Sequence, residues 1–129
     1  MLGNLDAKRD WGHAEDYVYG MWLMLQASTP DDYILSSGET HSIREFIEEA
    51  LDSAGFKEYR WCGDSVWVGD REVLRGNVPE FTRPAEVDIL LGDPSKAARE
   101  LGWVRKVGFK NLIRRMVSHE QESLLRSNQ

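Results

Sequence analysis

The 129-residue sequence predicts an α+β domain, mainly helical with a few short strands. Three observations carry that expectation. Apolar residues recur at three- and four-residue spacing in three long segments. The strand-like runs between them are only three to five residues long and are cut by glycine-containing turns. Residues 1–129 contain no repeat, no low-complexity stretch and no linker long enough to divide them, so a single domain is expected.

The opening dozen residues are polar and read as a loop or short edge strand. A helix is expected from His13 to about Ala27, where Ala14, Tyr17, Val18, Met21, Trp22 and Leu25 share a face and Pro30-Asp31 ends it. Leu23 and Met24 widen its stripe. Tyr33-Ile34-Leu35 is a short strand candidate stopped by Ser36-Ser37-Gly38. Ser42-Ile43-Arg44-Glu45 fits a capping box, followed by a stripe of Ile43, Phe46, Ile47, Ala50, Leu51 and Ala54, with Gly55 as the stop.

Residues 56–82 are irregular, with short strands expected at 59–62, 65–68 and about 70–74. Gly76-Asn77-Val78-Pro79 has turn chemistry, and 87–91 is a further extended candidate. Asp93 is placed to cap a helix whose first residue is Pro94 and whose end is Gly102. A last helix is expected over 109–125, with Leu112, Ile113, Met116, Val117, Leu124 and Leu125 inward. Trp61, Trp67 and Trp103 are expected in the core or an interface. The Arg105-Lys106 and Arg114-Arg115 pairs read as solvated faces.

Composition narrows the function classes. Hydrophobic residues make up 41% and charged ones 29%, a globular balance. A net charge of -6 argues against a nucleic-acid binder, which needs a basic face, but leaves room for a small phosphorylated ligand held by a few arginines. One cysteine, Cys62, allows no internal disulfide and suits a reducing compartment. No run of 18 apolar residues suggests a membrane span, and the start has no signal-like segment, so a cytoplasmic location is expected. His13, His41 and His119 are too scattered for a zinc site, which needs about four ligands. No glycine-rich dinucleotide fingerprint or phosphate loop is present, and no Tyr is followed four residues later by Lys.

Three segments carry a family resemblance. They are Leu2-Gly3-Asn4-Leu5-Asp6-Ala7-Lys8-Arg9-Asp10-Trp11-Gly12-His13 with its continuation to Leu25, then Ser37-Gly38-Glu39-Thr40-His41-Ser42-Ile43-Arg44-Glu45-Phe46, and then Arg83-Pro84-Ala85-Glu86-Val87-Asp88 with Leu91 to Trp103. Together they resemble the C-terminal, substrate-binding portion of the GDP-mannose 4,6-dehydratase family, among the extended short-chain dehydrogenases. The resemblance implies a fold without the Rossmann domain that holds NADP and the catalytic Tyr and Lys. It therefore implies no cofactor and no catalytic residue in this chain. It associates Arg9 and Arg83 with a diphosphate and Glu86 with a ribose, roles that suit a bidentate guanidinium and an acceptor-only carboxylate.

Plainer roles stand beside these. Arg9 could pair with Asp10 or Asp6, Arg83 could be an extended residue before Pro84, and Glu86 could be a solvated loop acid. Trp11 and His13 are expected to pack at the head of the first helix. The resemblance also implies that the first helix and first strand have lost packing partners. A homodimer through Met21–Leu25, or a separate Rossmann-domain chain, is then expected to cover them. The functional expectation is weak binding of a GDP-sugar without catalysis. The alternative is a stand-alone dimeric regulatory or interaction module that has lost nucleotide binding.

Overall fold

The computed structural model describes residues 1–82, 85 and 87–127; Arg83, Pro84 and Glu86, three positions of the third segment, lie outside the described residues. The element order is β1 (Lys8–Arg9), α1 (Ala14–Gln26), β2 (His41–Ser42), α2 (Ile43–Ser53), β3 (Tyr59–Cys62), β4 (Ser65–Val68), β5 (Arg71–Arg75), a 3-10 turn (Pro79–Phe81), α3 (Ser95–Leu101) and α4 (Phe109–Ser127). The four helices and short strands follow the sequence expectation closely.

α1 begins where His13 Nδ1 accepts from the Glu15 amide at 3.2 Å. α2 carries the expected capping box: Ser42 Oγ accepts from the Glu45 amide at 3.1 Å, and Glu45 Oε2 accepts from the Ser42 amide at 2.6 Å. At α3 the cap is shifted by one residue. Pro94 lies just outside the helix rather than at its first position, and the Asp93 carboxylate accepts from the Ser95 amide at 2.9 Å. Gly102 closes α3 in the left-handed conformation, φ 66°, which an L side chain adopts only at a cost.

β1 and β2 pair antiparallel, Lys8 opposite Ser42 and Arg9 opposite His41. Lys8 also bridges Ile89 on its other edge, donating to the Asp88 carbonyl at 2.7 Å while its own carbonyl accepts from the Leu90 amide at 3.1 Å. The expected strand at 87–91 is thus reduced to one bridge. β3, β4 and β5 form an antiparallel meander with a bulge at Val66/Trp67. Its inner face meets α2 around Leu5, Ile47 and Val66, with Ile43, Leu51, Tyr59, Trp61 and Leu74 packed on them. Trp61 ties sheet to helix by donating to Glu48 Oε1 at 2.9 Å, and Arg44 lies over its ring at 4.3 Å.

Trp103 is the other anchor. It is fully buried, its indole donates to the Asp16 carbonyl at 2.8 Å, and it stacks on Tyr17 at 6.3 Å between ring centroids. Gly20 permits this approach: a Cβ there would lie 2.6 Å from Leu35 and 2.9 Å from the Trp103 indole nitrogen. Burial and the neighbouring Asp10 and Asp16 carboxylates raise the Tyr17 phenol above its ordinary value, and Arg105 offsets part of that.

Three expectations are corrected. Tyr33–Leu35 joins no ladder among the described residues, and Ile34 is exposed; an extended run becomes a strand only where another strand bonds it. The far half of the α4 stripe is not inward, because Met116, Leu124 and Leu125 are exposed. For Leu124 and Leu125 the reason is length: α4 has 19 residues and its partner α2 only 11, and α2 ends beside Gln121; Met116, alongside α2, lies half-exposed at the margin of the stripe. Arg105 is not on a solvated face. Its guanidinium meets Glu39 Oε1 at 2.7 Å in a partly buried pair.

Candidate functional site

A cleft of about 330 Å³ opens between the N-terminal segment and the 3-10 turn, lined by Leu2, Gly3, Asn4, Ala7, Arg9, Trp11, Ile43 and Phe81. Its floor is built by long-range backbone bonding. The amide of Leu2 donates to the Arg75 carbonyl at 2.9 Å, Asn77 to Gly3 at 2.9 Å and Val78 to Leu2 at 3.0 Å. Asn77 sits at φ 49°, a conformation that its type tolerates, and its side-chain oxygen accepts from the Leu5 amide at 3.1 Å. The turn motif read as Gly76–Pro79 therefore fastens the first residues to the end of β5.

Arg9 enters this cleft from β1. Its guanidinium donates to the carbonyls of Lys8 at 2.8 Å and Val87 at 2.7 Å, with Asp88 at 3.5 Å. The two acids considered as its partners are engaged elsewhere. Asp10 accepts from the amides of Ser37 at 2.7 Å, Gly38 at 3.1 Å and Gly92 at 3.4 Å. Asp6 lies 3.6 Å from Arg44 Nε. Arg83 and Glu86 lie outside the described residues; Phe81 lines the cleft and the Val87 carbonyl accepts from Arg9.

Trp11, expected to pack at the head of α1, instead packs on Phe46 of α2 at 4.7 Å and donates to the His41 carbonyl at 3.4 Å. Beside it, His41 stacks on Phe109 at 3.8 Å and lies 3.4 Å from Glu39. The Arg105 guanidinium, chiefly, and His41 hold the Glu39 carboxyl below its ordinary value of 4.5. Among the described residues no group of three or more acidic, His or Cys side chains is placed to hold a metal. Among them, too, the one strand running straight into a helix is β2 into α2, at Ser42-Ile43 without glycine, which is no cradle for a dinucleotide. No helix is long and apolar enough to cross a membrane among the described residues.

Sequence reasoning passed over Phe81 and Asp16, and considered Asp10 only as a partner for Arg9. Phe81 stands in a stretch without periodicity. The two acids look like ordinary surface charges until their backbone partners, distant in sequence, are seen.

This architecture, four helices with short strands and a cleft that Arg9 enters, is a partial unit of the extended short-chain dehydrogenase fold. It superposes on UDP-glucose 4-epimerase from Thermotoga maritima, solved with UDP-glucose, with a TM-score of 0.72 at 17% identity, covering 96% of this chain and 35% of that one. It superposes on RMD from Pseudomonas aeruginosa, solved with NADPH, with a TM-score of 0.68 at 22% identity, covering 91% of this chain and 34% of that one. Residues 1–116 match the family model of GDP-mannose 4,6 dehydratase, and the chain belongs to that family. It is 49% identical over 132 residues to the GDP-mannose 4,6 dehydratase of Drosophila melanogaster, covering 98% of this chain and 33% of the relative. The chain thus spans about a third of the length of such relatives.

Proposed function

We propose that this chain supplies the diphosphate- and ribose-facing side of a nucleotide-sugar site of the GDP-mannose class, and that it binds such a ligand without transforming it. The observation that carries the reading is the placement of Arg9 in the cleft, with its guanidinium donating to the Val87 carbonyl. Arg9 and Arg83 would meet the phosphates and Glu86 the ribose hydroxyls. Charge-assisted hydrogen bonds contribute about 1.5–3 kcal/mol each, so three such groups support millimolar to micromolar affinity after ordering costs. The activity named for the relatives belongs to proteins about three times as long, and no catalytic group is assigned here.

Calorimetry with GDP and GDP-mannose tests the reading. Heat is expected, and Arg83→Ala should remove most of it. Absence of heat at millimolar ligand would refute binding, and an unchanged affinity in the variant would refute the site. The expected cytoplasmic location belongs to the same reading, since a lone exposed thiol such as Cys62 stays reduced there.

A partner belongs to the proposal as well. Val18, Met21, Trp22 and Leu25, at helical spacing on α1, are all more than half exposed. A second copy of the chain would cover that stripe, and Trp22→Glu should shift a concentration-dependent dimer to monomer in sedimentation. If the wild type stays monomeric at high concentration, a separate Rossmann-domain chain becomes the partner to seek.

A further inference from the structure

We propose that Phe81 is the residue against which the nucleobase stacks. The inference rests on the reading of the cleft as a nucleotide site and names a contact for the base, which that reading leaves unassigned. A nucleotide presents an anionic end and a planar aromatic end, so its site needs a cation and a flat apolar surface within one cavity.

Two aromatic side chains line the cleft, Trp11 and Phe81. Trp11 is already engaged: it packs on the Phe46 ring at 4.7 Å and donates its indole N–H to the His41 carbonyl. Phe81 is 53% exposed at the cleft wall, and among the described residues no ring or cation packs on it. A phenyl group left that open is uncovered apolar surface, and a stacked base would cover it.

The backbone beneath Phe81 is held firmly. Its amide donates to the Val78 carbonyl at 3.0 Å, the Thr82 amide donates to Pro79 at 3.1 Å, and the Thr82 hydroxyl donates to Val78 at 3.2 Å. Val78 is in turn bonded to Leu2. Gly3 lies directly under the turn, where a Cβ would collide with the Phe81 carbonyl. The ring is thus presented from a braced turn next to the segment that carries the cation. A braced aromatic loses little freedom on binding, which is the arrangement that makes stacking effective.

The test compares wild type, Phe81→Ala and Phe81→Trp by calorimetry with GDP and with inorganic pyrophosphate, which has the anionic part and no base. Phe81→Ala should weaken GDP by roughly 5- to 100-fold, in keeping with the loss of one base–aromatic stack, and leave pyrophosphate unchanged. Phe81→Trp should retain GDP binding. An unchanged GDP affinity in Phe81→Ala overturns the proposal while leaving the nucleotide site standing. An equal loss of GDP and pyrophosphate also overturns it, because the side chain would then be supporting the cleft rather than meeting the base. No heat from GDP with the wild type overturns the nucleotide reading, and this proposal with it.

Discussion

Removing the Asp16 carboxylate should cost this domain a large part of its stability. Asp16 is buried on the first turn of α1, and its Oδ2 accepts from the amides of Lys106 at 3.1 Å and Val107 at 2.9 Å. Both donors sit in the link between α3 and α4, and the Val107 bond is fully buried. In Asp16→Ala no protein group replaces the lost acceptor. A buried unsatisfied donor costs about 1–3 kcal/mol, and the partly exposed Lys106 amide should cost less, so the sum is about 3 kcal/mol. Native domains are stable by only about 5–15 kcal/mol, so this is a substantial fraction. For a chain of this size it corresponds to a fall of about 12 °C in the unfolding midpoint. Asp16→Asn keeps one oxygen and should lose roughly a third of that, through the weaker neutral bond. Urea melts of the three proteins measure the energies, and hydrogen exchange at the Lys106 and Val107 amides reports the local cause. If Asp16→Ala melts within about 0.5 kcal/mol of wild type, or if those two amides keep their protection, the clamp has been misjudged.

Two further predictions follow from neighbouring contacts. Because Arg105 lowers the folded-state pKa of Glu39, their pairing stabilises the fold fully above the ordinary value of 4.5, and that stabilisation is lost as pH falls through the depressed value. Thermal melts of wild type and Arg105→Met should therefore differ most near about pH 6 and converge towards about pH 3; a constant gap would exclude the linkage. Gly3→Ala should displace the turn carrying Phe81, costing about 1–3 kcal/mol in a urea melt and weakening GDP along with Phe81→Ala. A variant as stable as wild type would show that the turn yields without cost.

What was legible in the sequence was whatever is written in adjacent residues. The capping box at Ser42 and Glu45 spans three positions and appears as expected, as do the glycine stop at Gly102 and the three short strands β3 to β5, though not their pairing. Guanidinium chemistry and the family pattern singled out Arg9, and the structure places that residue at the cleft. Contacts across the chain were not legible. Asp16 meets amides 90 and 91 residues away, and no local feature separates it from Glu15 beside it, which is exposed. The Leu5 amide bonds the Asn77 side chain 72 residues on, so the Gly76–Pro79 turn was readable as a turn but not as the brace of a site.

The α4 error has a different physical origin. Periodicity gives a residue's angle around the helix axis and says nothing of how far along that axis a partner extends. Ile113 and Leu124 share a stripe, yet Ile113 is fully buried and Leu124 is 62% exposed. Between them, Gln121 donates to the Ala54 carbonyl at 3.4 Å, immediately after α2 ends at Ser53. An amphipathic stripe longer than the helix facing it must therefore be uncovered at one end within the chain. The same logic applies to α1, whose partner α3 has only seven residues, so exposure on both long helices follows from the shortness of what they pack against.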